Sequence, residues 1–345
     1  MLALQAVTPE YLVAAVPLVA LAEARKLIAA VHRGAVVAAS SAVRRIAADA
    51  VLAAGTVPAL EIVAETVSAI DPFVKYVLES AGSRFEAVRI PLEHAGRFTV
   101  CVSSQVGCAL ACAFCATGRL GLERNLAAWE IVEQVRVVRA RLPHGRVHGV
   151  VFQGMGEPLA NLDAVLQAIR VFSEPCAQGI DARAITVCTA GLPSGIRRLA
   201  AEAPRVRLAI SISSAIAAHR KAVMPIADRH DLEDVLAAAA AHARATGLAP
   251  MWAVTLLDGV NDGAADAQAL ADRARAFHAE TGARPRISLL DYNAIGAGDP
   301  FRRSPRMPAF RDVLSAAGLA SHRRYSGGSD VGAACGQLAG TAAGL

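Results

Sequence analysis

The chain has 345 residues, enough for one large domain with a smaller one attached and for a sizeable core. A 54% hydrophobic share excludes a disordered chain, and a 4% aromatic share leaves few rings for stacking on bases. The net charge of +5 fits an acidic partner such as nucleic acid without requiring one.

The first 80 residues read as mainly helical and Ala-rich, with no strand before Phe73–Leu78. They are taken as an accessory domain, and residues 81–345 as the core. The uncharged run Tyr11–Ala22 contains Pro17 and is too short for a membrane span, which needs about 20 apolar residues. No basic stretch precedes it as in an export signal, so it reads as part of a buried amphipathic helix in a cytoplasmic protein with no membrane partner. Arg25, Lys26, Arg33, Arg44 and Arg45 form a cluster that reads equally as a solvated helix face or a phosphate-contacting patch.

From about residue 95, short Val- and Ile-rich runs alternate with helical segments. The expected strands are Phe98–Val102, His148–Gln153, Ala184–Cys188, Val206–Ile212, Met251–Leu257, Arg286–Leu290 and Ser321–Tyr325. Most lack polar alternation, as buried parallel strands do. Between them the apolar periodicity predicts helices over Trp129–Arg141, Leu162–Phe172 (with Asn161 as N-cap), Leu232–Arg244, Ala264–Phe277 and Met307–Ala317. Repeated βα units give an α/β fold, either a barrel or a doubly wound sheet, with the chemistry at the strand ends.

The seven cysteines are Cys101, Cys108, Cys112, Cys115, Cys176, Cys188 and Cys335. The odd number in a long chain favours metal or redox chemistry over a disulfide scaffold. Cys108, Cys112 and Cys115 form a CxxxCxxC run just after a strand. Thiolates suit iron–sulfur clusters and zinc, but a structural zinc takes four protein ligands, and no fourth Cys or His is close in sequence. Three thiolates on a 4Fe–4S cluster leave one iron open to a ligand. Zinc and inert thiols remain the alternatives.

This spacing, with Phe114 before the last Cys, resembles the radical S-adenosylmethionine (SAM) superfamily. The wider context resembles its RlmN/Cfr family of RNA adenine methyltransferases: Cys101-Val-Ser-Ser-Gln-Val-Gly-Cys108, Ala116-Thr-Gly-Arg-Leu-Gly121, Arg124-Asn-Leu126, Gly154-Met-Gly-Glu-Pro158 with Asn161, Thr189-Ala-Gly191 and Ala333-Ala-Cys335-Gly-Gln-Leu338. The match spans about residues 70–340. It implies a partial (β/α) barrel radical SAM core with a small, mainly helical accessory domain. It also implies a 4Fe–4S cluster, two SAM molecules per turnover, an electron donor, and ribosomal and transfer RNA as substrate. Adenine carbon 2 is the expected target, carbon 8 a close variant, and a radical route suits an electron-poor carbon that cannot attack a sulfonium methyl.

The resemblance implies that Cys335 is methylated by one SAM. A radical from the second takes hydrogen from that methyl, and the methylene adds to the ring. Cys101 then releases the product through a transient disulfide. Glu86, in Phe85-Glu-Ala-Val-Arg-Ile-Pro91, matches the proton acceptor, although two extra residues separate it from Cys101; the bland reading is an exposed strand-edge Glu. Gly156 and Glu157 match the motif that meets the amino group of SAM. Cys188, Ser211, Ile212, Ser213 and Asn293 fill the other matched cofactor positions, and Cys176 reads as a loop thiol.

The pattern departs from the family where Ser213 replaces His or Asn, where Met251-Trp-Ala-Val-Thr255 lacks an acidic–aromatic pair, where Asp291 replaces Pro, and where Ser326–Gly332 loses an Arg and acidic residues. The first domain lacks the expected aromatics. These departures touch binding residues, so a radical methylase of a small-molecule or peptide substrate is the rival reading. An iron–sulfur RNA-binding protein without activity is a third reading, against which Cys101 and Cys335 argue.

Overall fold

The structure, a computed structural model, describes residues 1–296 and 298–340. Helices α1 (Pro9–Ala15), α2 (Leu21–His32) and α3 (Arg45–Ala54) come first. Thr8 caps α1, and Pro17 falls in the break between α1 and α2, so Tyr11–Ala22 is not one helix. The three helices bury Leu12, Leu27, Ile28, Val31 and Val51 in a core of their own.

Ten strands then form one mixed sheet whose order follows the chain. They are β1 (Glu61–Val67), β2 (Val74–Ser80), β3 (Ser83–Pro91), β4 (Arg97–Val102), β5 (Arg146–Phe152), β6 (Ile185–Thr189), β7 (Arg207–Ser211), β8 (Met251–Leu256), β9 (Arg286–Asp291) and β10 (Ser321–Arg324). β1 to β4 are antiparallel neighbours, and β4 to β10 run parallel. The first 80 residues are therefore less helical than expected, because β1 and β2 occupy their last stretch. Residue 80 itself, the expected boundary, ends β2, which pairs with β3 in a hairpin.

Helices make the parallel crossovers. After the short α4 (Ala116–Leu120) come α5 (Ala128–Ala140), α6 (Leu162–Ser173), α7 (Pro193–Glu202), α8 (Ala217–Val223), α9 (Leu232–Thr246), α10 (Ala264–Thr281) and α11 (Met307–Ala316). Gly247 and Gly282 end α9 and α10 at φ 70° and 72°, a conformation that favours glycine. Asn161 stands at the N-cap of α6 as expected, but its side chain makes no capping bond. Its side chain instead donates to the carbonyls of Ser104 (2.8 Å) and Leu126 (2.7 Å), tying two loops together.

The register places the chemistry on one face. Residues opposite each other across a ladder share a face, and so do positions i and i+2. Glu86 pairs with Val77, Val88 with Cys101, and Cys101 with Val151. The same row continues through Cys188, Ser211, Thr255, Leu290 and Arg324. At about 4.8 Å per strand, a flat sheet would hold Arg324 on β10 some 30 Å from Cys101 on β4. Arg324 nevertheless feels the charge of Cys101, so the sheet curls with this row inside. The outer edges of β1 and β10 pair with no strand among the described residues, and the curl is open.

Candidate active site

Cys108, Cys112 and Cys115 lie on the loop after β4. A short antiparallel ribbon, Gln105–Gly107 with Leu122–Asn125, clasps both ends of that loop. Inside it, Cys115 N–H donates to Cys112 O at 3.1 Å, and Cys108 N–H to Gly121 O at 2.8 Å. The ribbon rests on a buried polar network. Ser103 N–H donates to Gln134 Oε1 (2.8 Å), and Gln134 Nε2 returns a bond to Ser103 O (3.0 Å). Gln105 receives Glu157 N–H at 2.8 Å and donates to Asn125 at 2.7 Å. Gly156 has φ 98°, and a Cβ there would lie 2.5 Å from that of Gln105, so only glycine lets the two loops meet.

One cavity is shared by all three loop thiols with Gly156, Glu157, Cys188, Ser211, Ser213 and Cys335. Burial pushes Cys108 up to about 11 and raises Cys112 and Cys115 as well, so a bound metal group is what would hold them as thiolates. Among the described residues no three His, Cys, Asp or Glu side chains close on one point as ligands of a single ion do. The donor set, three soft sulfurs around a cavity with the positive charge of the buried Arg220 reaching Cys112, fits an anionic iron–sulfur cluster.

Glu157 is 3% exposed, and burial raises its pKa. Its oxygens accept Leu159 N–H (3.0 Å) and Ala190 N–H (2.8 Å), leaving lone pairs for an ammonium group. Ser213 stands at φ 56°, a left-handed conformation in which Asn and His are more at home. Two of the expected cofactor positions stand behind the wall. Ile212 is buried and offers its carbonyl to Arg220, and Asn293 Nδ2 donates to Cys335 O at 3.2 Å.

Cys335 is half-buried, and Cys101 is buried behind it. Burial, then the neighbouring Cys335 and Cys188, raise the Cys101 thiol, while Arg324 lowers it. The structure thus brings Cys101, Cys188 and Cys335 into one electrostatic group. Glu86 is 0% exposed, so it is not a strand-edge carboxylate. Its Oε1 lies 3.2 Å from Lys75 Nζ, and its Oε2 accepts Ala339 N–H at 3.0 Å. Burial raises its pKa against the pull of Lys75. Cys176 lies away from this cavity, against the N-terminal helices.

Sequence reasoning missed Gln134, Lys75, Arg220 and Arg324. Gln134 alone carried a hint, a polar residue among the buried apolar positions of α5. In the N-terminal cluster, Arg44 forks onto Glu23, so that cation is held within the protein.

Residues 102–264 match the Radical SAM superfamily. The chain is 58% identical to a "Probable RNA methyltransferase" of Sorangium cellulosum, covering 92% of this chain and 88% of that one. It is 44% identical to the dual-specificity RNA methyltransferase RlmN of Syntrophobacter fumaroxidans, over 74% and 73%. A radical SAM methyltransferase from Sphaerobacter thermophilus superposes with a TM-score of 0.86 at 32% identity, covering 99% of this chain and 100% of that one. The fold and site are those of a radical SAM methyltransferase, an enzyme class that works with a 4Fe–4S cluster and SAM. Within that class the chain belongs to the RlmN/Cfr-type family.

Proposed function

We propose that the protein methylates a ring carbon of adenine in RNA, carbon 2 with carbon 8 as the variant, using Cys335 as methyl carrier and Cys101 as the thiol that releases the product. The observation that carries this reading is the position of Cys335: it borders the cavity of the three loop cysteines, with Cys101 charge-coupled behind it. The names of the relatives support RNA as the substrate class.

Cys108, Cys112 and Cys115 hold the cluster, which when bound supplies the electron that cleaves SAM. Gly156, Glu157, Cys188, Ser211, Ile212, Ser213 and Asn293 place that SAM, directly or through the wall. Cys335 Sγ accepts a methyl from a first SAM, and the methyl, after giving one hydrogen atom to the 5′-deoxyadenosyl fragment of the second, bonds to the ring carbon; the odd electron this leaves on the ring passes to a one-electron acceptor. Glu86 takes the ring proton, and burial, which raises its pKa, makes it a stronger base than a free carboxylate. In the structure Ala339 covers Glu86, so this role requires residues 337–340 to lift. Cys101 Sγ then attacks Cys335 Sγ, the sulfur–carbon bond breaks toward the product, whose methylene carbon takes a proton to become the methyl, and an external reductant restores both thiols. The helical unit at the start contributes RNA contacts, and the enzyme acts in the cytoplasm on ribosomal and transfer RNA. Among the described residues no helix is long and apolar enough to cross a membrane.

The test is anaerobic reconstitution with methyl-labelled SAM and ribosomal RNA, followed by nucleoside mass spectrometry. Labelled methyladenosine, together with a covalent RNA adduct on Cys335 in Cys101→Ala, is the expected result. Release of 5′-deoxyadenosine with no labelled RNA would move the reading to a non-RNA substrate.

A further inference from the structure

Arg220 is 1% exposed. It lies on α8, and its guanidinium turns inward under the ends of β6 and β7. Nη1 donates to the carbonyls of Ser211 (2.8 Å) and Ile212, and Nη2 to that of Ala190 (2.7 Å). Nη1 also meets Met224 Sδ at 3.6 Å, while the buried Nε makes no hydrogen bond. Among the described residues no carboxylate acts on it; the side chain whose charge would reach it is Cys112, on the loop that is tied to α8 by Ala113 N–H donating to Val223 O at 3.0 Å.

A buried cation without a counter-anion is strongly unfavourable, and carbonyl dipoles solvate it only in part. Met or Leu would fill the same space with no charge to desolvate, so the charge itself calls for an anion. The loop of Cys112 supplies one when loaded. A 4Fe–4S core of formal charge about +2 on three thiolates leaves an assembly of roughly −1, and one-electron reduction takes it to roughly −2. The potential of such a cluster follows the charges and hydrogen bonds around it.

We propose that Arg220 is the buried countercharge of the cluster, a positioning residue set beside Cys112 that favours its reduced, more anionic form while its other donors fix the Ser211 and Ile212 carbonyls. This rests on reading Cys108, Cys112 and Cys115 as cluster ligands. Arg220 acts through the field at Cys112 and through backbone it holds, so its removal alters the cluster before it alters RNA binding.

The test compares wild type, Arg220→Met and Arg220→Lys, each prepared with and without cluster, by spectroelectrochemistry and thermal unfolding under anaerobic conditions. Iron and sulfide analysis of wild type comes first. A wild type that takes up neither overturns the ligand reading, and this proposal with it, before any variant is compared. With wild type loaded, the midpoint potential of Arg220→Met is expected to shift negative, and Arg220→Lys to stay near wild type. Without cluster, Arg220→Met should unfold no lower than wild type, because it has lost an unpaired buried charge. Loss of the cluster from a folded Arg220→Met supports the proposal where Arg220→Lys retains it, and loss from both overturns it. Equal potentials in wild type and Arg220→Met overturn it. So does a cluster-free Arg220→Met that fails to fold where cluster-free wild type folds, since Arg220 would then be a clip for carbonyls and nothing more.

Discussion

Arg324 and Lys75 are two cations set against groups of the candidate site, Arg324 against the thiols of Cys335, Cys188 and Cys101 and Lys75 against the Glu86 carboxylate. Arg324 has a buried Nη1 with no hydrogen-bond partner. Burial works against its charge, but the thiolates of Cys335, Cys188 and Cys101 outweigh that and raise it. The effect is reciprocal: Arg324 favours the thiolate of Cys101, and of Cys188, which burial pushes up to about 12. At a pH well below the pKa of a thiol, raising that pKa by about one lowers the thiolate fraction about tenfold. A partly buried charge has an effect of about that size, so Arg324→Met should slow alkylation of Cys101 and Cys188 by about tenfold. Residue-resolved mass spectrometry over a pH series measures this, and unchanged rates at both thiols would remove Arg324 from the group.

Lys75 acts on Glu86, at 2% and 0% side-chain exposure. Removing one member of such a pair costs about 3–5 kcal/mol when the other stays charged. The pH dependence has a definite sign. Glu86 already has a raised folded pKa, so its contribution to stability is greatest below its unfolded value and is lost as pH rises through the folded one. Lys75→Met raises the folded pKa further. The variant should be close to wild type at acid pH, where Glu86 is protonated in both, and fall behind as pH rises. Denaturant midpoints at several pH values decide it, and a deficit independent of pH would mean that Lys75 matters for packing alone.

Among elements, the link between α5 and the end of β4 sets the cluster loop. Gln134 satisfies both the N–H and the C=O of Ser103, and all of these groups are buried. Gln134→Leu keeps the size and leaves two backbone groups unpaired. The expected cost is about 2 kcal/mol, read by urea unfolding, with lower iron content after reconstitution under matched conditions. A variant of wild-type stability and iron content would show that water replaces the side chain. What is legible in the sequence follows the range of the interactions. β4 to β9 announce themselves because their apolar runs are bounded by turns, and Cys108, Cys112 and Cys115 stand out because the three are neighbours in sequence. β1 (Glu61–Val67) escapes a sequence reading because its Glu and Ala residues weaken the strand pattern, and its exposed positions show no buried face. α8, of 7 residues, is too short for periodicity to reveal, and α7, as long as α11, opens on Pro-Ser-Gly, which reads as a turn. Arg220 looks like one more surface charge beside His219 and Lys221. Arg324 meets Cys101 only because the sheet curls, which no local pattern records.

Across the whole molecule, the segment after β10 returns over the cavity and is tied to elements far from it in sequence. Asp330 accepts Ser68 Oγ–H (2.7 Å) and Ala69 N–H (2.8 Å), and Asp71 Oδ2 accepts Gly328 N–H (2.8 Å) and Tyr325 O–H (2.7 Å). Farther on, Ala116 N–H donates to Gly336 O at 2.7 Å, Thr117 Oγ1–H to Leu338 O at 2.6 Å, and Ala339 N–H to Glu86. Cys335 thus hangs between two sets of ties, one to the β1–β2 turn and one to the cluster loop and β3. The two sets are separable by mutation. Asp71→Ala with Asp330→Ala cuts the first set and touches neither the cluster loop nor the SAM-facing residues. Loss of the ties should raise backbone hydrogen exchange over 325–335, because fewer bonds must break for that segment to open. A 1 Å displacement of a reacting group can cost on the order of 100-fold in rate. The double variant should therefore keep the iron content and SAM cleavage of wild type while product methylation falls by about that factor. Parallel loss of SAM cleavage and methylation would place the defect at the cluster instead, and would mean that the strap around Cys335 has no separate role in aiming its sulfur.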